Sequence, residues 1–424
     1  MKLSYNWLKE LTGTKSSPQE LGEKLTMLGF ELEEIKDYNK IYNGFITARV
    51  VKKEAHPDAD KLSLCTVEYN GISQTVVCGA PNVDANQTII LGLEGAVVPS
   101  AGFSLSKRNI RGVESNGMIC SKSELELGED HSGIWVLPED TPIGIPLAKF
   151  VELDDVMIDV FITPNRADGA SHIGIAREIC AKEGLKLNLP QTELQNIDSD
   201  NTDVKIEIEN PDNCSRYSAL VLSEVKVVDS PQWLKNRLKV IGLRPRNLIV
   251  DATNYVMMEC GNPLHAFDLG KLASKEIIVK NATDNLKFKS LDEKDRLLDS
   301  EMLTINDKEK PIAIAGVMGG FNSEIDETTQ SILIESAYFK PSIVRKTSRK
   351  LSLQSDSSYR YERGVDINNL KYAAKRCAGI ILKYGGGKLS SNYIDCYPKK
   401  FTPKVIKVRY ERTRKIIGID IDNE

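Results

Sequence analysis

The stretch K-L-S-L-C-T-V-E-Y-N-G-I-S-Q-T-V-V-C, residues 61–78, contains two short runs in which apolar and polar residues alternate. This period of two is typical of β-strands with one buried face. Asn70 and Gly71 separate the runs, and Asn-Gly is the strongest short signal for a type I′ hairpin turn. Together with F-I-T-A-R-V-V at 45–51, the stretch predicts a small antiparallel β-barrel.

The length of 424 residues exceeds the size at which one hydrophobic core usually keeps growing, so we expect several domains. No run of eighteen apolar residues and no cleavable signal pattern is present, which predicts a cytoplasmic protein without membrane contact. The eight cysteines are scattered without a C-x-x-C pair, which predicts reduced thiols and no metal site. Since the net charge is −4, any RNA contact requires local basic patches.

Helical signals flank the predicted barrel. Ser17, Pro18 and Glu20 form a capping-box pattern at the start of one helix, and apolar spacing at 171–184 predicts another. The polar run at 188–203 is typical of a linker. From residue 204 onward, alternating helix and strand patterns predict an α+β region.

Within that region, a helix is predicted over about 248–260, and it leads into the stretch E-C-G-N-P-L-H-A-F-D at 259–268. This stretch contains one of only four histidines in the chain. We expect His265 to lie in a turn, with Asp268 accepting a hydrogen bond from one ring nitrogen. A histidine that is merely hydrogen-bonded within the structure is the alternative.

Three other motifs are interpreted as structural. G-G-G-K-L-S at 385–390 lacks the spacing of a phosphate loop and is typical of a helix end. A-G-V-M-G-G at 315–320 lacks the dinucleotide spacing and predicts a tight turn. His56 is predicted to belong to a capped turn at the surface and not to a metal site.

The sequence also resembles a known family. H-P-D-A-D-K-L-S-L-C-T-V and R-N-I-R-G-V-E-S-N-G-M-I-C-S resemble the oligonucleotide-binding barrel that serves as a tRNA-binding module. M-K-L-S-Y-N-W-L-K-E-L, D-A-T-N-Y-V-M-M-E-C-G-N-P-L-H-A-F-D, I-L-I-E-S-A-Y-F and S-D-S-S-Y-R-Y-E-R-G-V-D resemble, in order, the bacterial phenylalanyl-tRNA synthetase beta subunit. The resemblance covers essentially the whole chain.

The resemblance implies an α+β multidomain fold with a helical or mixed amino-terminal domain, an inserted OB-fold barrel and an α+β editing domain. The implied limits are 1–43 together with 151–190 for the amino-terminal domain, 44–150 for the barrel and 204–397 for the editing domain. Residues 401–424 would begin a further domain. Because the family continues beyond this point, we expect the chain to be truncated.

The family resemblance further implies a function. We expect hydrolysis of tyrosine mischarged on phenylalanine tRNA, with a partner alpha subunit in a heterotetramer of two alpha and two beta subunits. No cofactor is expected in this chain, whereas ATP and Mg²⁺ serve amino-acid activation by the whole enzyme. A noncatalytic RNA-binding and assembly subunit with a vestigial pocket is the alternative.

A pocket made to fit phenylalanine rejects tyrosine by only roughly a hundredfold, and a second site can select in the opposite direction. A buried acceptor would satisfy the tyrosine hydroxyl, and Glu335 in S-I-L-I-E-S-A is the candidate for that role. A solvent-exposed glutamate on an edge strand is the alternative. The resemblance assigns substrate orientation to His265, with general-base catalysis as a further possibility.

The same resemblance places five more residues near the pocket: Arg244, Thr253, Gly319, Ser355 and Ser357. Arg244 would hold a terminal phosphate, although a solvated arginine is equally compatible with its position. Gly319 would permit close approach of the substrate. Ser357 departs from the alanine that is common in the family, so its hydroxyl either alters the pocket or binds backbone.

Two basic clusters are the predicted tRNA contacts. Lys107, Arg108 and Arg111 belong to the predicted barrel, and Lys407, Arg409 and Arg412 belong to a tract with eight basic residues and one acidic residue at 399–415. A solvated strand and helix edge is the alternative for the second cluster.

Overall fold

The computed structural model describes residues 1–192, 194, 204–390 and 392–423. Most of the predicted linker at 188–203 lies outside the described residues. No helix in the described part of the chain is long and apolar enough to cross a membrane.

The first 44 residues form two strands and three helices: β1 (Lys2–Ser4), α1 (Tyr5–Thr12), α2 (Pro18–Met27), β2 (Leu32–Asp37) and α3 (Tyr38–Ile41). The predicted capping box is confirmed at α2. The Ser17 hydroxyl accepts from the Glu20 backbone N–H, and the Glu20 carboxylate accepts from the Ser17 N–H. Both contacts satisfy backbone donors that a helix start leaves unpaired.

Eight strands follow: β3 (Phe45–His56), β4 (Ala59–Tyr69), β5 (Ile72–Cys78), β6 (Thr88–Gly92), β7 (Arg108–Ile110), β8 (Val113–Ser115), β9 (Met118–Ile119) and β10 (Val136–Leu137). The main antiparallel sheet has the order β10-β6-β3-β4-β5, and β9 also pairs with β6. Asn70 and Gly71 have φ angles of 46° and 77°, as the predicted type I′ turn requires. The antiparallel strands are confirmed, while closure into an OB-fold barrel stays a prediction.

The chain then returns to its first unit through α4 (Leu147–Phe150), β11 (Val156–Val160) and α5 (His172–Glu183). β11 pairs with both β1 and β2, so the chain segments that precede and follow the antiparallel sheet in sequence form a common three-stranded sheet. In the core, His172 stacks on Trp7 with ring centroids 3.8 Å apart. Burial lowers the pKa of His172 to about 3, so the ring is neutral.

The remaining part is α+β, as predicted. Its elements are β12 (Lys205–Ile208), β13 (Cys214–Ser223), α6 (Gln232–Val240), α7 (Leu248–Cys260), β14 (Leu264–Asp268), β15 (Glu276–Asn281), β16 (Leu286–Lys289), β17 (Asp295–Leu298), β18 (Leu303–Asn306), β19 (Pro311–Ile314), β20 (Met318–Gly319), β21 (Ser331–Phe339), α8 (Pro341–Lys350), α9 (Asp356–Tyr361), α10 (Leu370–Gly385), β22 (Lys388–Leu389), β23 (Ile394–Cys396) and α11 (Tyr410–Ile417).

Two five-stranded sheets organise this region. One has the order β12-β15-β18-β19-β20, and the other has β14-β21-β13-β22 with β23 also paired to β13. Strand β21 is central in the second sheet and has apolar side chains on both faces. Ile332 and Ile334 join the core that includes residues of α7 and α10, whereas Leu333 and Ala337 join the core shared with β15, β18 and β19.

Several local predictions were tested by these elements. The glycines of G-G-G-K-L-S do end α10, with Gly386 and Gly387 at positive φ, and A-G-V-M-G-G does form the turn between β19 and β20. In the basic tract, residues 401–409 have no helix or strand assignment and α11 follows them, so the strand of the alternative interpretation does not form. All eight cysteines are free thiols.

Candidate functional site

A cavity of about 530 Å³ opens between α7, β14, the β19–β20 turn, β21 and α9. This volume is within the range of small-molecule sites. Six of the seven residues predicted for the pocket line it: Thr253, His265, Gly319, Glu335, Ser355 and Ser357. They come from five elements spread over about a hundred residues of sequence, so tertiary packing has brought them together.

Glu335 is a buried carboxyl group on the cavity wall. Its strand is flanked on both sides, and the side chain is only 5% exposed, which excludes the solvent-exposed edge position. Burial raises the pKa of Glu335 to about 7, opposed by a hydrogen bond that Tyr217 donates to Oε2 at 2.8 Å. Near neutral pH, the carboxyl therefore exists in both protonation states.

His265 lies in strand β14 and not in the predicted turn, which ends before Leu264. The predicted contact with Asp268 was wrong. Residues three apart on a strand project to opposite faces, and the Asp268 carboxylate instead accepts from the Gly270 N–H and the Thr329 hydroxyl.

The His265 ring is neutral, and one of its nitrogens lacks a hydrogen bond. Nε2 is buried and has no hydrogen-bond partner in the described part of the chain. Burial lowers the pKa of the ring to about 4. An unpaired buried nitrogen is unfavourable by about 1 to 3 kcal/mol, so this atom is available to a polar ligand group.

Gly319 provides the space that the His265 ring occupies. A Cβ atom at this position would lie 2.6 Å from Cε1 and 2.8 Å from Nε2 of His265. Any side chain there would displace the imidazole or intrude on the cavity. The absence of a side chain at Gly319 is therefore a geometric requirement of this wall.

The two serines bind the backbone of the β19–β20 turn. Ser355 caps α9 and donates its hydroxyl to the Val317 carbonyl at 2.8 Å. The Ser357 hydroxyl donates to the Gly316 carbonyl at 3.2 Å, in agreement with the backbone-binding alternative for this family departure. Thr253 likewise uses its hydroxyl locally, donating to the Val250 carbonyl at 2.7 Å.

Arg244 does not line the cavity. Its side chain is exposed, and Arg246, two residues further along the chain, occupies the wall instead. No sequence pattern indicated Arg246 or two tyrosines, Tyr217 behind Glu335 and Tyr361 on the wall. Tyr217 contacts a residue 118 positions away, and no local pattern carries that information.

The predicted RNA-binding side chains are all exposed. Lys107 pairs with Glu114 at 3.1 Å, Arg111 donates to the Asp58 carbonyl, and Arg108 lies over the Phe103 ring. The second cluster, Lys407, Arg409 and Arg412, lies in and just before α11, a helix without buried residues.

The described residues contain no group of three or more His, Cys, Asp or Glu side chains that could hold a metal ion. His56 does cap a turn, since its Nδ1 accepts from the Asp58 N–H, but its expected surface position was wrong. It is 5% exposed, and Nε2 contacts the Ile110 carbonyl at 3.1 Å.

Comparison with known proteins bears on these observations. The family model described as "Putative tRNA binding domain" matches residues 45–146, and the "B3/4 domain" model matches residues 213–386. The phenylalanine–tRNA ligase beta subunit of Carboxydothermus hydrogenoformans is 45% identical over 425 residues, which cover all of this chain and 53% of that protein. That of Desulfotalea psychrophila is 44% identical over 426 residues, covering all of this chain and 52% of that protein.

Over its whole length, the chain thus resembles phenylalanine–tRNA ligase beta subunits. The beta subunit of Salinibacter ruber, 40% identical, matches over the same extent, so the chain spans about half the length of the beta subunits that it matches. The B3/4 match includes Thr253, His265, Gly319, Glu335 and Ser355, and thus encloses the cavity. The tRNA-binding match includes Lys107, Arg108 and Arg111.

Proposed function

We propose that this beta-subunit chain is an editing hydrolase that removes tyrosine from mischarged phenylalanine tRNA. The observation that carries the proposal is the buried Glu335 carboxyl on the cavity wall, adjacent across the sheet to His265. One carboxyl oxygen accepts from Tyr217, and the other has no side-chain partner in the described part of the chain.

The para hydroxyl of a bound tyrosine would complete the hydrogen bonding of Glu335. Phenylalanine fits the same space but leaves the second carboxyl oxygen desolvated and unpaired, which is unfavourable by about 1 to 3 kcal/mol. This site thus discriminates in the direction opposite to a phenylalanine pocket, because it disfavours the side chain that lacks the hydroxyl.

The reaction is hydrolysis of the ester that joins the amino acid to the terminal ribose. Water attacks the ester carbonyl, the bond to the ribose oxygen breaks, and that oxygen takes up a proton as tyrosine is released. His265 orients the ester or the ribose through its unpaired Nε2. The neighbouring ribose hydroxyl is then available to assist water, with His265 as a less favoured general base.

The proposed partners follow from the family. We infer that the tRNA-binding segment contacts phenylalanine tRNA, and that the chain assembles with alpha subunits in a heterotetramer of two alpha and two beta subunits. We assign amino-acid activation, which uses ATP and Mg²⁺, to the alpha subunit. We expect no cofactor in this chain.

The test is deacylation of phenylalanine tRNA charged with tyrosine, with the same tRNA charged with phenylalanine as the control. We expect faster release of tyrosine than of phenylalanine. Equal rates with and without the protein would overturn the proposal. If tRNA binding persisted in that case, the result would favour a noncatalytic RNA-binding and assembly subunit.

A further inference from the structure

Tyr217 lies directly behind Glu335, outside the cavity. Its side chain is fully buried, and its hydroxyl donates to Oε2 of Glu335 at 2.8 Å. Tyr217 does not line the cavity, so it cannot be a substrate contact in this arrangement. Its only route to a bound ligand is through the carboxyl group that it holds.

The strand register explains why this contact forms. On β13 and β21, Tyr217 pairs with Ala337, and Ala219 pairs with Glu335. Tyr217 and Glu335 are therefore diagonal neighbours on one face, a separation that long aromatic side chains reach. The residue directly opposite Glu335 on β13 is an alanine, whose small side chain leaves room for the diagonal contact with Tyr217.

We propose that Tyr217 is the positioning residue that sets the specificity of the cavity, by holding one oxygen of Glu335 so that the other faces the amino-acid side chain. This inference rests on the proposed editing function. The inference goes beyond that function by assigning the discrimination between tyrosine and phenylalanine to two residues, Glu335 and Tyr217, of which Tyr217 does not contact the substrate.

The hydrogen bond also affects the charge of the carboxyl. Burial raises the pKa of Glu335 and the Tyr217 hydroxyl lowers it, so loss of the hydroxyl favours the protonated form. The titratable groups that face Glu335 are Cys214 and Tyr217 on β13, His265 on β14 and Tyr361 on α9. None of these is cationic at neutral pH, so none replaces the stabilisation that Tyr217 gives to the anion.

The first experiment measures the Glu335 titration directly, without substrate. Infrared difference spectra between the unmodified chain and Glu335→Gln isolate its carboxyl band across a pH series. We expect Tyr217→Phe to shift the titration midpoint upward. Tyr42→Phe, which removes another buried phenol whose hydroxyl donates to the Leu125 carbonyl in the tRNA-binding segment, is the matched control and leaves the midpoint unchanged.

An unchanged midpoint in Tyr217→Phe would overturn the inference. If that variant does not fold, the unmodified chain still provides a test. The carboxyl stretch assigned to Glu335 has the frequency of a hydrogen-bonded group if Tyr217 donates to it, and the frequency of an unbonded group would contradict the proposal.

The second experiment measures specificity. We expect Tyr217→Phe to lower the tyrosine-over-phenylalanine deacylation ratio by about tenfold, mainly through KM, since a hydrogen bond to a charged group is being removed. In the Glu335→Ala background, which leaves Tyr217 no acceptor at this position, the same change should have little further effect, because Tyr217 acts through the carboxyl. Independent effects in the double variant would overturn the positioning role.

The two experiments separate the two proposals. If the unmodified chain does not deacylate tyrosine, the proposed function fails, while the infrared titration still decides whether Tyr217 controls Glu335. If deacylation is normal and unaffected by Tyr217→Phe, the editing function stands and the positioning role fails.

Discussion

His265 and Glu335 are direct cross-strand partners in adjacent antiparallel strands. Opposed residues on such strands project to the same face, so both side chains enter the same cavity. One is an imidazole with a lowered pKa and the other a carboxyl with a raised pKa. At mildly acidic pH, an isolated histidine and an isolated glutamate would both be largely charged. In the cavity, both groups are instead largely neutral and can form hydrogen bonds as neutral groups.

Glu335→Ala is expected to remove the preference for tyrosine. Without the carboxyl, a tyrosine hydroxyl has no acceptor, and the deacylation rate for tyrosine should fall roughly tenfold to a hundredfold, while that for phenylalanine changes little. Parallel deacylation assays on the two charged tRNAs measure this effect. A loss of thermal stability as large as the loss of activity would show that Glu335 is a structural residue, and Glu335→Gln, which keeps an acceptor for Tyr217, controls for the unpaired phenol.

His265→Ala is expected to slow tyrosyl-ester hydrolysis without abolishing it. The ring orients the substrate, whereas water activation can come from the ribose hydroxyl. Single-turnover deacylation measures the rate. A variant as fast as the unmodified chain would contradict any role for this histidine.

Gly319→Ala tests the geometry of the same ring. The added Cβ would lie 2.6 Å from His265 Cε1, so the imidazole must move, and we expect a loss of deacylation comparable to that of His265→Ala. Gly379→Ala is the matched control, because among the described residues a Cβ there meets only Leu194, at 3.6 Å, and the change removes a glycine from the interior of α10. Equal activity in the two variants would mean that the ring position is unimportant.

The raised pKa of Glu335 predicts a pH-dependent stability difference between the unmodified chain and Glu335→Gln. The folded state holds the proton up to about pH 7, whereas an unfolded glutamate loses it near 4.5. The stabilisation is thus fully present below pH 4.5 and is lost as pH rises through 7. Titration of His265 contributes to the stability of both the unmodified chain and Glu335→Gln, so its contribution cancels in the difference.

Urea unfolding at pH 4.5 and pH 7.5 measures that difference. We expect the unmodified chain to lose stability relative to Glu335→Gln between the two values. A difference that stays constant with pH would show that burial does not shift the Glu335 titration.

RNA binding is expected to weaken with salt, because phosphate contacts release counterions. Charge reversal of Lys107, Arg108 and Arg111, and separately of Lys407, Arg409 and Arg412, should lower tRNA affinity and flatten the salt dependence. Reversal of Lys15, Lys182 and Lys186, which are also exposed, controls for total charge. Filter binding at several salt concentrations is the measurement, and unchanged affinity in both triple variants would remove these clusters from the RNA-binding surface.

The sequence by itself determined the local elements whose signals lie within a few residues. The Asn70-Gly71 turn, the Ser17 capping box and helix α7 all formed where they were predicted, since turn chemistry, capping and apolar periodicity are short-range effects. The family resemblance added six of the residues that line the cavity, which local physics could not select.

Only the tertiary structure decided which of those residues meet and in what state. The register of β13, β21 and β14 brings Tyr217, Glu335 and His265 together from positions far apart in the chain. It also corrected the Asp268 contact, placed Arg246 where Arg244 was expected, and left Nε2 of His265 unpaired. Strand pairing and burial are long-range properties, and they fix both the partners of a side chain and its pKa.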